Sequence, residues 1–283
     1  MSLLAALLSF SVVFPAQPDI AIQVTENKEK RQDLIFIAPH ENESVANQYL
    51  RDKIKTEGGK FIELRQHGKR LVELKIDGNT LQVDPNRIFT PLGRRATLRK
   101  LNPNIASNSS LFNSGLARAK KLADFLLNHL KKSSLSKTFS WIAMHNNTNG
   151  YTDDGKGGEG TISIVRYQKK LAGGSKFLIK VNRTSADEDD LFYVTGPIDF
   201  AQMKKDGWNA VLENPIVKTD INEDDGSLSV FANQSGVRYI NIEAERKGTN
   251  GGNDHLKEKQ RMIDYIYTIQ SSSQPDLSKP SEN

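Results

Sequence analysis

An α/β fold, with a mixed and largely parallel open sheet flanked by helices, is the class this sequence predicts, and three observations carry the prediction. Two short runs are apolar without alternation, LIFIA at 34–38 and FSWIAM at 139–144, as strands covered on both faces must be. Between them, residues 114–132 place Leu116, Ala119, Leu122, Ala123, Leu126 and Leu130 on one helical face. Strand-like and helix-like stretches alternate along the rest of the chain, the pattern of a sheet with helices packed on it.

At the start of the chain, residues 3–14 form an apolar run too short to span a bilayer. With Pro15 and Ala16 behind it, the run reads as a secretory leader over 1–17, with a periplasmic or secreted location. It lacks basic residues, so a buried first strand or a start further upstream stays open. Residues 18–270 then form one domain. The strand at 34–38 ends at Pro39, and 43–56 has helical character up to Gly58-Gly59. Strands are expected at 61–64, 71–76 and 80–83, the last two joined by an Asp77-Gly78 turn. The long helix starts with Asn113 or Ser114 as its cap. The run at 139–144 delivers His145 at its C-terminal end, 162–165, 191–195 and 239–244 read as strands, and 254–269 closes the fold as a helix. Residues 150–160 and 219–227 are rich in Gly, Asp and Asn and read as loops, with GKGGEG at 155–160 a flexible stretch near His145. The polar, Pro-containing tail at 271–283 is expected to be disordered.

Composition removes several functions. Lys and Arg outnumber Asp and Glu by 39 to 34, an excess too mild and scattered for a nucleic-acid groove, so no nucleic-acid partner is expected. No run supports stable membrane insertion. The absence of cysteine excludes disulfides, thiolate metal ligands and a thiol nucleophile.

Two histidines, His40 and His145, sit just beyond the two buried runs. Ligands of open α/β sheets bind at the carboxyl ends of strands, so these are better ligand candidates than His129, which lies on the long helix beside Lys131 and Lys132. His67 and His255 lie in polar turn sequences and are set aside. Glu43 follows His40 by three residues, and one turn of chain can aim both at a single ion. Two imidazoles and a carboxylate suit Zn²⁺ and leave one position for water. A helix start whose acids complement the dipole would equally account for the His40–Glu43 pair. Arg87 offers a planar fork that can hold a carboxylate bidentately, and Asn86 an amide donor beside it, although Asp-Pro-Asn also favours a turn. Glu243 follows the apolar YINI stretch, where a carboxylate is costly unless it is paired, hydrated or functional. Glu245 would face the same side of that strand.

Taken in order, these segments resemble those of the zinc carboxypeptidase superfamily (peptidase family M14), including its aspartoacylase and succinylglutamate desuccinylase branch. His40-Glu41-Asn42-Glu43 is similar to its HxxE zinc motif, and Asp84-Pro85-Asn86-Arg87-Ile88-Phe89 to its substrate-carboxylate segment. His145-Asn146-Asn147-Thr148 resembles the third-ligand segment, especially of the deacylase branch, and 239–245 the strand carrying the catalytic glutamate. The resemblance implies zinc on His40, Glu43 and His145, a substrate carboxylate on Asn86 and Arg87, and Glu243 as catalytic base, preferred to Glu245 on its spacing to Gly248. It implies hydrolysis of an amide near a free carboxylate, in a peptide or an N-acyl amino acid. A carbonyl-polarising arginine is also implied, with Arg65, Arg70, Arg94 and Arg95 as candidates. A binding module using the same cleft without catalysis is the third reading.

Overall fold

The computed structural model describes residues 7–131, 139–151, 162–246 and 255–269. Residues 1–6, the GKGGEG stretch, Gly248 and the 271–283 tail lie outside the described residues. Among those described, a nine-stranded sheet has the order β1-β2-β4-β3-β7-β11-β9-β10-β8. Its strands are β1 (Leu7–Val13), β2 (Ala21–Asn27), β3 (Leu34–Ala38), β4 (Gly59–Arg65), β7 (Ser140–Thr148), β8 (Leu178–Asn182), β9 (Leu191–Val194), β10 (Ala210–Glu213) and β11 (Arg238–Arg246). The four central strands, β4-β3-β7-β11, run parallel, and β1, β2 and β8 are joined at the edges by antiparallel pairing. A separate hairpin pairs β5 (Val72–Ile76) with β6 (Asn79–Val83). The mixed open sheet of the sequence expectation is present, with its parallel part at the centre.

Helices cover both faces. On one side Leu50 and Ile54 of α1 (Asn47–Glu57), Phe200 and Met203 of α5 (Pro197–Lys205), and Met262, Ile263 and Ile266 of α7 (Leu256–Thr268) pack on Phe36, Ile142 and Ile240. On the other, α2 (Pro91–Leu101), α3 (Ser110–Leu130), α4 (Ile164–Ala172), α6 (Leu228–Ser235) and the hairpin pack on Ile35, Ile37, Trp141 and Tyr239. Burying β3, β7 and β11 on both faces is what their unbroken apolar runs encode. None of the described helices is long and apolar enough to cross a membrane.

Several elements differ from the sequence expectation, each for a local reason. The long helix begins a turn earlier, because Ser109 Oγ accepts the Phe112 N–H at 3.1 Å and caps it there. The stretch 162–165 belongs not to a strand but to α4: Ser163 caps it, and Ile164, Tyr167 and Leu171 recur at helical spacing against the core. Residues 43–46 precede α1 instead of opening it; Glu43 N–H closes a turn on His40 C=O at 3.1 Å, and Ala46 takes a left-handed φ of 64°. The strand at 139–144 continues to Thr148, so His145 lies within β7. Leu7–Val13, within the run that reads as a leader or a first strand, pairs as β1 with β2, which leaves the leader expectation untouched. Phe14 packs on Phe125, and Gln17 bridges the hairpin by donating to Glu73 C=O at 2.8 Å and accepting Lys75 N–H at 2.9 Å.

Polar contacts fix the scaffold at two places, one at the amino ends of the central strands and one beside their carboxyl ends. At the base of β7 and β11, Arg238 forks onto Asp199 and donates to Ser140 Oγ at 2.9 Å, pinning the residues that open the two strands. The segment from Asp84 to α2 is stitched to residues 224–228: Thr90 donates to Asp224 at 2.7 Å, Phe89 N–H to Gly226 C=O at 3.0 Å, and Leu228 N–H to Asn86 Oδ1 at 3.1 Å. That closeness needs glycine, since a Cβ on Gly93 would lie 2.1 Å from the Cα of Gly226. Gly93→Ala should therefore push the two segments apart and cost on the order of 1–3 kcal/mol of stability, read as a lower midpoint of thermal unfolding.

Candidate metal centre

The centre lies where the sheet changes direction of growth. The chain leaves β3, crosses through α1 and returns as β4 on one side, whereas β7 and then β11 extend the sheet on the other. A crevice at the carboxyl ends of strands forms at such a reversal. His40 follows β3, and His145 stands on β7 next to it.

His40, Glu43 and His145 are all buried, and one ligand atom from each lies within 4.8 Å of the other two. The His40 and His145 Nδ1 atoms are 3.2 Å apart. His40 Nδ1 lies 3.2 Å from Glu43 Oε1, and His145 Nδ1 lies 2.9 Å from Glu43 Oε2. Asn146 N–H donates to the same Oε2 at 3.2 Å. The other ring nitrogen of His40 faces Asp84 Oδ1 at 2.9 Å. Because the carboxylate can only accept, that nitrogen carries a proton, and the ring is held with Nδ1 toward Glu43 and His145. Two imidazoles and a carboxylate with this outer support fit a zinc ion.

Charge is concentrated here. Burial alone would push the pKa of His40 down, but Glu43 and Asp84 outweigh it and raise it to about 9. Burial works against the Glu43 carboxylate in the same way, yet the two histidines hold it well below the usual range. Glu43 also receives Arg70, whose half-exposed guanidinium reaches Asp84 Oδ2 at 3.8 Å.

The strand register decides what stands beside the metal ligands. Glu243 on β11 pairs with His145 on β7, and its side chain is buried. Its Oε1 accepts from Asn241 Nδ2 at 3.0 Å, while Oε2 is buried without a hydrogen-bond partner. Burial raises its pKa, against the pull of His145 and together with the charge of Glu43. Glu245, two residues on, goes to another partner: its Oε2 lies 3.1 Å from His255 Nε2.

Asn86 and Arg87 reach the same region with their polar groups already engaged. Asn86 Nδ2 lies 3.3 Å from His145 Nε2, and Arg87 pairs with Asp225 at 3.0 Å while remaining 41% exposed. Among the candidate arginines, Arg70 stands on Glu43. Arg65 pairs with Glu63, and Arg94 donates to the Ile88 carbonyl. The sequence did not point to Asp84 as the outer support of His40, nor to Lys259. The latter is fully buried on α7 and donates to the His145 carbonyl at 2.6 Å, its pKa pushed down to about 8 by burial. A lysine at an otherwise apolar helix position was the only signal for it.

No protein-family profile matches the chain, and no curated protein does. Among solved structures, the chain is similar to the succinylglutamate desuccinylase from Chromobacterium violaceum, with a TM-score of 0.43 and 11% identity over 95% of this chain and 72% of that one. It is also similar to thrombin activatable fibrinolysis inhibitor, with a TM-score of 0.43 and 9% identity over 92% and 70% of the two chains.

A metal on the Nδ1 atoms must displace the proton that His40 shares with Glu43. Zinc affinity is therefore expected to rise from pH 6 to pH 8, with at least one proton released per ion bound. Competition with a chromophoric chelator at the two pH values, and calorimetry in buffers of different ionisation enthalpy, read the two quantities. Equal affinity at both would mean that these nitrogens are not the ligands.

Proposed function

We propose that this protein is a zinc-dependent hydrolase that cleaves an amide bond next to a free carboxylate, as the metallocarboxypeptidases its motifs resemble do. One observation carries the reading. Two imidazole Nδ1 atoms and the Glu43 carboxylate converge, and on the adjoining strand Glu243 keeps a buried carboxylate oxygen with no donor. His40, Glu43 and His145 would hold the zinc, which when bound lowers the pKa of a water toward about 7 and polarises a carbonyl.

The chain's own residues then have distinct tasks. Glu243 is the base: Asn241 holds Oε1, so Oε2 is the atom that takes the proton and hands it to the leaving nitrogen. Its raised pKa suits that exchange, because a carboxylate with too low a pKa is a poor proton acceptor. Asp84 keeps the His40 ring in its orientation. Arg70, half-exposed on Glu43, is the donor assigned to the charge that develops on the scissile oxygen. Arg87 anchors the substrate carboxylate, which replaces Asp225 on the guanidinium, and Asn86 Nδ2 adds a donor in exchange for its long contact with His145.

A peptide with a free C-terminus is the first substrate class. The segment His145-Asn146-Asn147-Thr148, closer to the deacylase branch, favours a small N-acyl amino acid as the second. Purified protein should hold one zinc per chain and lose turnover to a chelator. Glu243→Gln should keep the zinc and lower kcat by about 10²–10⁴-fold. Arg87→Ala should raise KM about tenfold or more for substrates with a free carboxylate. Full activity in Glu243→Gln would sink the mechanism, and turnover of N-acyl amino acids alone would replace the peptidase reading with the deacylase one.

A further inference from the structure

A second group of carboxylates lies one pleat beyond the metal centre on the same strand pair. Glu245 and Asn147 are paired in register, each two residues past Glu243 and His145 and on the same faces of β11 and β7. The turn entering β9 brings Asp187, Asp189 and Asp190 against them. One carboxylate oxygen each from Asp187, Asp189 and Glu245 lies within 4.8 Å of the other two.

Acidic side chains gather on many protein surfaces, but Asp189 is not on the surface. It is 0% exposed. Its Oδ2 accepts the Gly150 N–H at 2.6 Å, whereas Oδ1 is buried with no hydrogen-bond partner. Asn147 holds the Asp189 carbonyl through Nδ2, and its own Oδ1 is a second buried oxygen without a donor. A buried carboxylate with one oxygen unpartnered and two further carboxylates within 4.8 Å is costly unless a cation meets it.

We infer that Asp187, Asp189 and Glu245 form a second metal site, separate from the His40–Glu43–His145 centre, that takes a hard divalent cation of the Ca²⁺ class. The donor chemistry selects the class. His255 stands next to the group, with Asp190 Oδ2 on Nδ1 at 2.8 Å and Glu245 Oε2 on Nε2 at 3.1 Å. Asp187, Asp189 and Glu245 offer carboxylate oxygens alone, which suit Ca²⁺ better than Zn²⁺. Asp190 also accepts the Glu245 N–H at 3.0 Å, so the loop and the strand are already joined where the cation would bridge them. A cation here ties the end of β11 to the turn before β9. It thereby steadies the strand segments that carry Glu243 and His145.

The test uses the full chain with its first centre filled by one equivalent of zinc. Calcium chloride is titrated up to about 10 mM, roughly tenfold above the weak end of protein calcium sites, with calorimetry and the thermal midpoint as readouts. One Ca²⁺ should bind per chain and raise the midpoint by several degrees. Asp189→Asn should weaken binding tenfold or more while leaving zinc content unchanged, and Asp187→Asn, at an exposed position that tolerates substitution, should do the same. His40→Ala should lose zinc but keep Ca²⁺. The inference is overturned by no saturable Ca²⁺ binding, by Ca²⁺ affinity unchanged in both aspartate variants, or by loss of both metals in His40→Ala.

Discussion

The register between β7 and β11 is the constraint on which the candidate metal centre depends. Parallel pairing sets Glu243 against His145, and pairing of β7 with β3 on its other side brings the chain out at His40. A slip of one residue would turn Glu243 to the opposite face, among the apolar side chains of α7, and send Ile242 toward the metal ligands. Polar bonds hold the register at both ends. Arg238, Asp199 and Ser140 pin the start of the strands, and Lys259 on the His145 carbonyl and Asp190 on the Glu245 amide hold the far part. Apolar packing alone is a poor keeper of register, because neighbouring Val, Ile and Leu side chains substitute for one another, whereas a buried charged pair tolerates one alignment.

The same economy of charge shapes the centre. Glu43 is the hub: His40, His145, Arg70 and the Asn146 amide all converge on its two oxygens. Buried ionic groups are stable together and costly apart, so each member depends on the others. Asp84 extends the network outward and joins it to the segment of Asn86 and Arg87. Gly93 and Gly226 press that segment against residues 224–228. A single connected network thus links the metal ligands, the two arginines and the loop carrying Asp225.

The leader-like run at the N-terminus shows how one apolar stretch satisfies two descriptions. Its apolar residues suit an h-region, and they suit equally an edge strand bonded to β2, with Val12 packed against the core and Leu8, Phe10 and Val13 exposed. Hydropathy measures neither the partner strand nor the Gln17 bridge to β5.

What the sequence determined by itself was local or periodic: the doubly covered strands at 34–38 and 139–144, the long amphipathic helix, the three-residue spacing of His40 and Glu43, and the adjacency of Asn86 and Arg87. Such features are legible because backbone periodicity and short-range reach are written in neighbouring residues. The tertiary structure decided the rest. It chose Arg70 over the other arginines as the cation on Glu43, placed Asp84 behind His40, and brought Lys259 from the last helix to the His145 carbonyl. It also separated Glu243, beside His145, from Glu245, bonded to His255, although both point to one side of one strand. Their spacing in the chain is two residues, but their partners come from positions far apart in sequence. Only long-range packing determines which partner each one meets.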